Sequence, residues 1–379
     1  MTAGALHGLR VVELAGFGPA PFCGMLLADM GADVVRVERA HAPERGFPQD
    51  ARFEVMNRGR RLVDLDLKTS AGLSQLLDLV DQADVLIEGY RPGVMERLGA
   101  GPDVCLARNP RLVYGRVTGY GQTGPLAQAA GHDINYIALS GVLDAIGPAG
   151  APPVLPLNLV ADYGGGGMLL AVGILAARLH AQASGHGQVV DASMLDGSTL
   201  LMAGTYGLRA AGLWNHSRGS NVLDGGAPWY GVYETADGGY LALGAVEPRF
   251  YDQLLKGLGL DAGDLPPRHD RAAWPSLRKA FSQRIAQETR EHWSNIFAGL
   301  EACVTPVLRG NEVADHPQFQ ARQSLVRHHG VLQPAPAPRF SLTPSRMPDP
   351  PAIASSDAQE ILRNWSHLPE AADQGRGNA

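Results

Sequence analysis

The first third of the chain repeats one unit, a buried strand followed by a helix and a second strand, and this repetition restricts the fold more than any other feature. Residues 10–15 (RVVELA) read as a strand, Gly16-Phe17-Gly18-Pro19 breaks it, residues 20–30 supply a helix, and Gly31 ends that helix before DVVRVE. Strands joined by a helical crossover pair in parallel. The unit returns in RLVDLDL (61–67), with Thr69 or Ser70 as N-cap of the helix AGLSQLLDLVDQ and the strand VLIEGY (85–90) after it. Pro92 suits the first helical position of RPGVMERLG, and LVYGRVTG (112–119) gives a further strand. Alternation of this kind predicts an α/β fold with helices on both faces of a parallel sheet.

From about residue 120 the pattern changes to weakly charged helical stretches, 134–146 and 166–182, joined by a Pro-rich connector, and then a short strand at 188–193. A Gly/Asn/Ser-rich stretch at 213–228 marks a boundary, after which WYGVYETADGGYLALGA (229–245) reads as a hairpin turning at residues 236–239. Helices at 247–258, 275–287 and 289–299 complete a smaller α+β module. The expected organisation is a large domain over 1–212 with a return segment at 331–365, a linker and small domain over 213–330, and a disordered tail at 366–379. Seven prolines between 332 and 352 make the return an extended strap.

Composition removes several functional classes. The formal net charge is -6, with no basic surplus of the kind a nucleic-acid binder carries. Cys23, Cys105 and Cys303 lie far apart and form no metal-ligand spacing, so reduced thiols in the cytoplasm and no metal site are expected. The uncharged stretches 163–177 and 145–161 are broken by four consecutive glycines and by prolines, unlike a spanning helix of about 20 apolar residues. A soluble chain without a membrane partner is expected. Glycine is in excess, 47 of 379 residues, against roughly 7% in average usage.

Several residues carry candidate chemistry. Gly16-Phe17-Gly18 with Glu38 further on imitates a dinucleotide fingerprint, but Pro21 stands where the third glycine belongs, and a plain tight turn accounts for it better. His132, after Gly131 and before an apolar helical run, is placed where free backbone N–H groups hold an anion, which makes it a candidate base. Asp162 precedes Gly164-Gly165-Gly166-Gly167, more glycines than an N-cap needs; their helix cost suggests that a ligand approaches the backbone there. Arg36, Arg39, Arg58, Arg60, Arg61, Arg91 and Arg97 recur at strand ends and favour an anionic, phosphorylated small molecule. Glu247 precedes Pro248 and a helix, where a carboxylate faces the helix dipole.

At these residues the chain resembles the α-methylacyl-CoA racemase family of the class III CoA-transferase superfamily, over nearly its whole length to about residue 365. The likeness rests on GLRVVELAGFGPAPFCGMLLADMGADVVRVER, LIEGYRPGVMERLG, TGYGQTGPLAQAAGHDINYIALSGVL, PLNLVADYGGGG, GQVVDASMLDG, LDGGAPWYGVYETADG and CVTPVL, taken in this order. It implies a large Rossmann-like domain, a small domain and an interlocked homodimer. It also implies His132 and Asp162 as the catalytic bases, with Glu247 hydrogen-bonded to the histidine. Coenzyme A contacts would fall on Arg39, Leu65, Lys68, Gly89, Tyr90, Arg91, Arg97 and the stretch Gly131, Asp133, Ile134, Asn135 and Tyr136.

The family's transferases use an aspartate matching Asp162 as a covalent nucleophile and generally lack the Gly131-His132-Asp133 motif, so the pair of bases favours racemisation. The expected reaction moves the α-proton of a 2-methylacyl-CoA through an enolate held by backbone donors near Gly164, Gly165 and Gly166, with no cofactor. Met25, Met194, Leu195 and Met202 are suggested for the apolar acyl pocket.

Overall fold

The computed structural model describes residues 4–39 and 50–367. Its strands β1 (Arg10–Leu14), β2 (Asp33–Arg39), β3 (Arg60–Leu65), β4 (Val85–Glu88) and β5 (Val113–Thr118) alternate with helices α1 (Pro19–Asp29), α2 (Ser70–Gln82), α3 (Val94–Leu98) and α4 (Pro102–Arg108). Thr69 is the cap of α2, its side chain accepting from the Gly72 N–H. Pro92 does not open α3; Gly93, left-handed at φ 81°, is the N-cap instead.

Beyond β5 come α5 (Asp133–Leu139) and α6 (Val142–Ala145). One helix was expected over 134–146, but Gly141 adopts φ 78° and separates the two. Leu159–Met168 is a π-helix running directly into α7 (Leu169–Ser184), followed by β6 (Val189–Ser193) and α8 (Met194–Leu201). Leu159–Ser184 thus forms one 26-residue helix, long and apolar enough to cross a membrane by length and composition. The uncharged stretches understated it because Asp162 and Arg178 lie within the helix; buried Arg178 donates to Asp84 at 2.8 Å.

The remaining elements are α9 (Ala203–Ala210), β7 (Tyr230–Glu234), β8 (Tyr240–Gly244), α10 (Pro248–Leu258), α11 (Trp274–Ile285), α12 (Arg290–Phe297) and β9 (Val304–Pro306). They are followed by α13 (Pro317–Arg322), β10 (Leu325–His328), β11 (Val331–Pro334) and α14 (Ala358–Ser366). The disordered tail expected from 366 begins instead with the last residue of this helix; residues 368–379 lie outside the described residues.

The chain divides into two compact units. The first runs through Ser140, resumes over Leu157–Leu201 and resumes again from Pro317; the second holds Gly141–Pro156 and Met202–His316. The small unit therefore starts earlier than residue 213, takes in the Pro-rich connector, and ends before 330. In the first unit six strands form a parallel sheet in the order β3-β2-β1-β4-β5-β6. Its inner strands are largely buried on both faces while the edge strands β3 and β6 are partly exposed, and α2, α4 and α14 pack one side of it into a core that includes Leu76, Leu79, Tyr114 and Trp365. The second unit packs α10, α11 and α12 on the antiparallel sheet β7-β8-β9 around Trp229, Phe281 and Trp293.

Candidate active site

The strand order reverses between β1 and β4, so the turns leaving their carboxyl ends part and open a crevice where α/β sheets bind ligands. A cavity of about 360 Å3 lies there, walled by Phe17, Gly18 and Pro19 after β1, by Gly89 to Pro92 after β4, and by Val117 to Tyr120 at the end of β5. Ala127, Ala129, Ala130, Gly131, His132, Tyr136, Asp162 and Met194 complete the lining.

His132 occupies the N-cap position of α5 in extended backbone, and its N–H donates to Asn135 Oδ1 at 3.0 Å. The approach to it is rigid for a steric reason. A Cβ on Gly131 would lie 2.8 Å from both Tyr120 Oη and Tyr136 Cε1, so only glycine fits. The Tyr136 hydroxyl donates to the Gly131 carbonyl, and its ring meets Tyr120 edge to face at 4.9 Å. Burial, then Tyr120 and Asp162, push the Tyr136 phenol up to about 12, which keeps it a neutral donor.

Asp162 is carried by the π-helix, its carboxyl half-buried against the β1–α1 turn. A Cβ on Gly18 would sit 3.1 Å from Asp162 Oδ2, and Gly18 is left-handed at φ 67°. Asn158 Nδ2 donates to Oδ2 at 3.0 Å. Burial raises the Asp162 pKa against the Asn158 hydrogen bond that lowers it, Asp133 raises it further, His132 lowers it, and the net direction is upward. The buried Asp133, adjacent to His132, accepts through Oδ2 from the N–H groups of Ala161 at 2.7 Å and Asp162 at 2.8 Å. One carboxylate thus caps the helix bearing one base while standing next to the other base.

A profile for CoA-transferase family III matches residues 6–355. The chain belongs to CoA-transferase family III. It is 46% identical to the alpha-methylacyl-CoA racemase of Mus musculus over 96% of this chain and 94% of that protein. It is 45% identical to the Homo sapiens alpha-methylacyl-CoA racemase over 90% of this chain and 88% of that protein. A crystal structure of a CAIB/BAIF family protein from Brucella suis superposes with a TM-score of 0.81 at 25% identity, covering 96% of this chain and 100% of that one.

In this family III chain the cavity unites His132 and Asp162 with Gly89, Tyr90, Arg91, Gly131 and Tyr136. Of the suggested acyl-pocket residues, Met194 lines it. Arg39 is exposed, with its guanidinium 5.4 Å from the Tyr90 ring centre, and Arg97 is exposed on α3. Leu65 is buried in the core at the end of β3, and the Lys68 N–H donates to Asp66 Oδ1 before α2. Ile134 is exposed in the first turn of α5, while Asn135 caps that turn. Glu247 is exposed in the second unit at the N-cap position of α10.

Two readings of the sequence are corrected. The glycines after Asp162 are spent on helix contacts, not on a thioester. Gly165, Gly166 and Gly167 are buried, and a Cβ on Gly165 would lie 2.7 Å from the Ser198 N of α8. On Gly166 it would lie 2.9 Å from Pro19 Cβ and Met194 Cγ, and on Gly167 2.8 Å from the Pro19 carbonyl oxygen. Gly164 is less confined, but from it onward the π-helix N–H groups have carbonyl acceptors five residues back. Gly164, Gly165 and Gly166 are not among the residues that line the cavity.

Nor do all the strand-end arginines face a ligand. Arg36 donates to Glu13 at 2.9 Å and Glu38 at 2.7 Å, Arg60 to Glu13 at 3.0 Å, and Arg58 to Asp29 at 2.5 Å, all buried. Arg61 pairs with Asp33. Arg39, Arg91 and Arg97 remain for an anion. Asn158 escaped the sequence reading, although its spacing of four from Asp162 is the spacing that brings side chains together on a helix.

Proposed function

We propose that this chain is an α-methylacyl-CoA racemase, interconverting the epimers of 2-methylacyl-CoA thioesters, and the observation that carries the reading is that His132 and Asp162 line one cavity from two separate helices. An imidazole and a carboxyl suffice for a 1,1-proton transfer: one takes the α-proton, the electron pair moves onto the thioester oxygen, and the other returns a proton to the opposite face. The raised pKa of Asp162 suits it to hold the proton that it returns.

The enolate oxygen needs donors, and the first turn of α5 supplies them. The N–H groups of Asp133 and Ile134 follow His132 directly, and an α-helix leaves such groups without intrahelical acceptors. Arg39, Arg91 and Arg97 supply charge for the coenzyme phosphates, and Tyr90 a flat surface beside them. Proton transfer through an enolate changes no oxidation state and so needs no redox cofactor, and in this reading the two side chains and the backbone donors act without a metal or pyridoxal.

The working form is a homodimer in the cytoplasm that serves fatty acid metabolism. Met168, Val172, Leu179, Leu200 and Leu201 stay exposed on α7, α8 and the π-helix, apolar surface of the kind that subunit contacts cover.

The test is incubation of one epimer of a 2-methylacyl-CoA in heavy water. Racemisation predicts deuterium at the α-carbon together with loss of configuration. Retained configuration without deuterium uptake refutes it. An acyl adduct on Asp162 trapped by hydroxylamine would instead assign the chain to carboxylate CoA transfer, the other chemistry of the family.

A further inference from the structure

Three donor groups with no part in proton transfer meet at the β10–β11 turn. The strands pair with His328 opposite Val331, leaving His329 and Gly330 as a two-residue turn at φ 47° and 80°. Asn-Gly is the usual solution for such a turn, because both central residues need positive φ. Histidine at the first position is strained, and it sets the His329 ring edge to face with that of His328, the centroids 4.4 Å apart. Asp349, on the return strap, brings Oδ1 to 3.1 Å from His329 Nε2 and 3.4 Å from His328 Nε2. All three donor atoms lie within 4.8 Å of one another. His328 Nε2 is enclosed yet makes no hydrogen bond.

A simple ion pair leaves this arrangement half-used, since two imidazoles converge on one carboxylate oxygen and only His329 bonds to it. A cation between them would use all three. With zinc–ligand bonds of about 2.0–2.1 Å, tetrahedral donors stand about 3.3 Å apart, and the separations of 3.1 and 3.4 Å from Asp349 Oδ1 bracket that value. We propose that His328, His329 and Asp349 form a binding site for a divalent first-row cation of the zinc type, with water as the fourth ligand.

The ion's role would be to clamp the strap. The Asp349 carbonyl already accepts from the Gly59 N–H at 2.8 Å. Beside Gly59, Arg58 donates to Gln333 Oε1 and the Pro334 carbonyl on β11. The cation would close this link between strap, hairpin and the start of β3.

Zinc chloride titrated calorimetrically into the EDTA-stripped full chain tests the site. One saturable equivalent per chain is expected, with a rise in melting temperature, and cobalt should give the intense visible bands of a four-coordinate ion. Asp349→Asn keeps the main-chain bond to Gly59, and His329→Asn installs the residue that the turn prefers, so both should fold and retain α-proton exchange. Each should weaken zinc binding by at least roughly 10-fold, a loss that even outer-shell partners cause. Absence of a saturable site, or unchanged affinity and stoichiometry in both variants, overturns the proposal.

Discussion

Alanine placed along the glycine run separates helix contact from ligand approach. At Gly164 a Cβ would meet the Leu159 carbonyl oxygen at 3.3 Å and a Leu201 methyl at 3.4 Å, distances that a slight adjustment relieves. The helix gains about 1 kcal/mol from replacing glycine by alanine, less what the contact takes back, so Gly164→Ala should melt with the parent or up to about 4 °C above it. At Gly165 the Cβ would lie 2.7 Å from Ser198 N and 2.8 Å from the Gly197 carbonyl carbon, both main-chain atoms of α8 that cannot rotate away. Gly197 is the reciprocal contact, a Cβ there colliding with the Gly165 carbonyl oxygen. Overpacking of this kind costs typically 1–3 kcal/mol, and two backbones in contact place it at the upper end; at 2–4 °C per kcal/mol the melting temperature should fall by roughly 5 to 10 °C. Gly166→Ala should also destabilise, because beside Met194 Cγ its Cβ would meet the Ala161 carbonyl oxygen and the rigid Pro19 Cβ, each at 2.9 Å. Differential scanning calorimetry gives the order, and deuterium exchange gives turnover. If Gly165→Ala melts like the parent while exchange collapses, the run faces the thioester and the packing argument is wrong.

Two substitutions probe the bases' surroundings. Asp133→Ala removes the acceptor of two charge-assisted hydrogen bonds and should cost about 2–4 kcal/mol in chemical denaturation, with exchange slowed about 100-fold as Asp162 shifts; parental stability and rate would refute the cap. Asn158→Ala removes the donor that favours ionised Asp162, so the limb of the kcat/KM pH profile due to this carboxyl should move to higher pH, and no movement or a downward one would refute that account.

The sheet was legible because its signal is local. Apolar runs such as VVEL and VLIE are buried as strands, and the helices between them force parallel pairing. The arginines were misread because their partners are remote: Glu13 lies 23 residues from Arg36, and Asp29 lies 29 residues from Arg58. A charge at a strand end looks the same in sequence whether it pairs inward or faces a ligand. The glycine run failed in a similar way. The glycines were read as room for a ligand, but what packs against them is α8 and α1, which no local pattern around Asp162 announces. The π-helix hid as well, since a change from i→i−4 to i→i−5 bonding leaves composition untouched.

Asp133 joins two requirements that a two-base site must meet together. The acid partner has to be positioned against the base, and it has to hold a proton when the base takes one. Position comes from Oδ2, which fixes the Ala161 and Asp162 N–H groups from a residue adjoining His132, so one side chain refers both bases to the same point. Protonation comes from charge. The Asp133 carboxylate adds to burial in raising the Asp162 pKa, while Asn158 and His132 oppose it. A neutral cap such as serine or asparagine could bond the same N–H groups but would leave Asp162 easier to ionise. The aspartate in Gly131-His132-Asp133 therefore answers to the electrostatics of its neighbour as well as to the helix end that it caps.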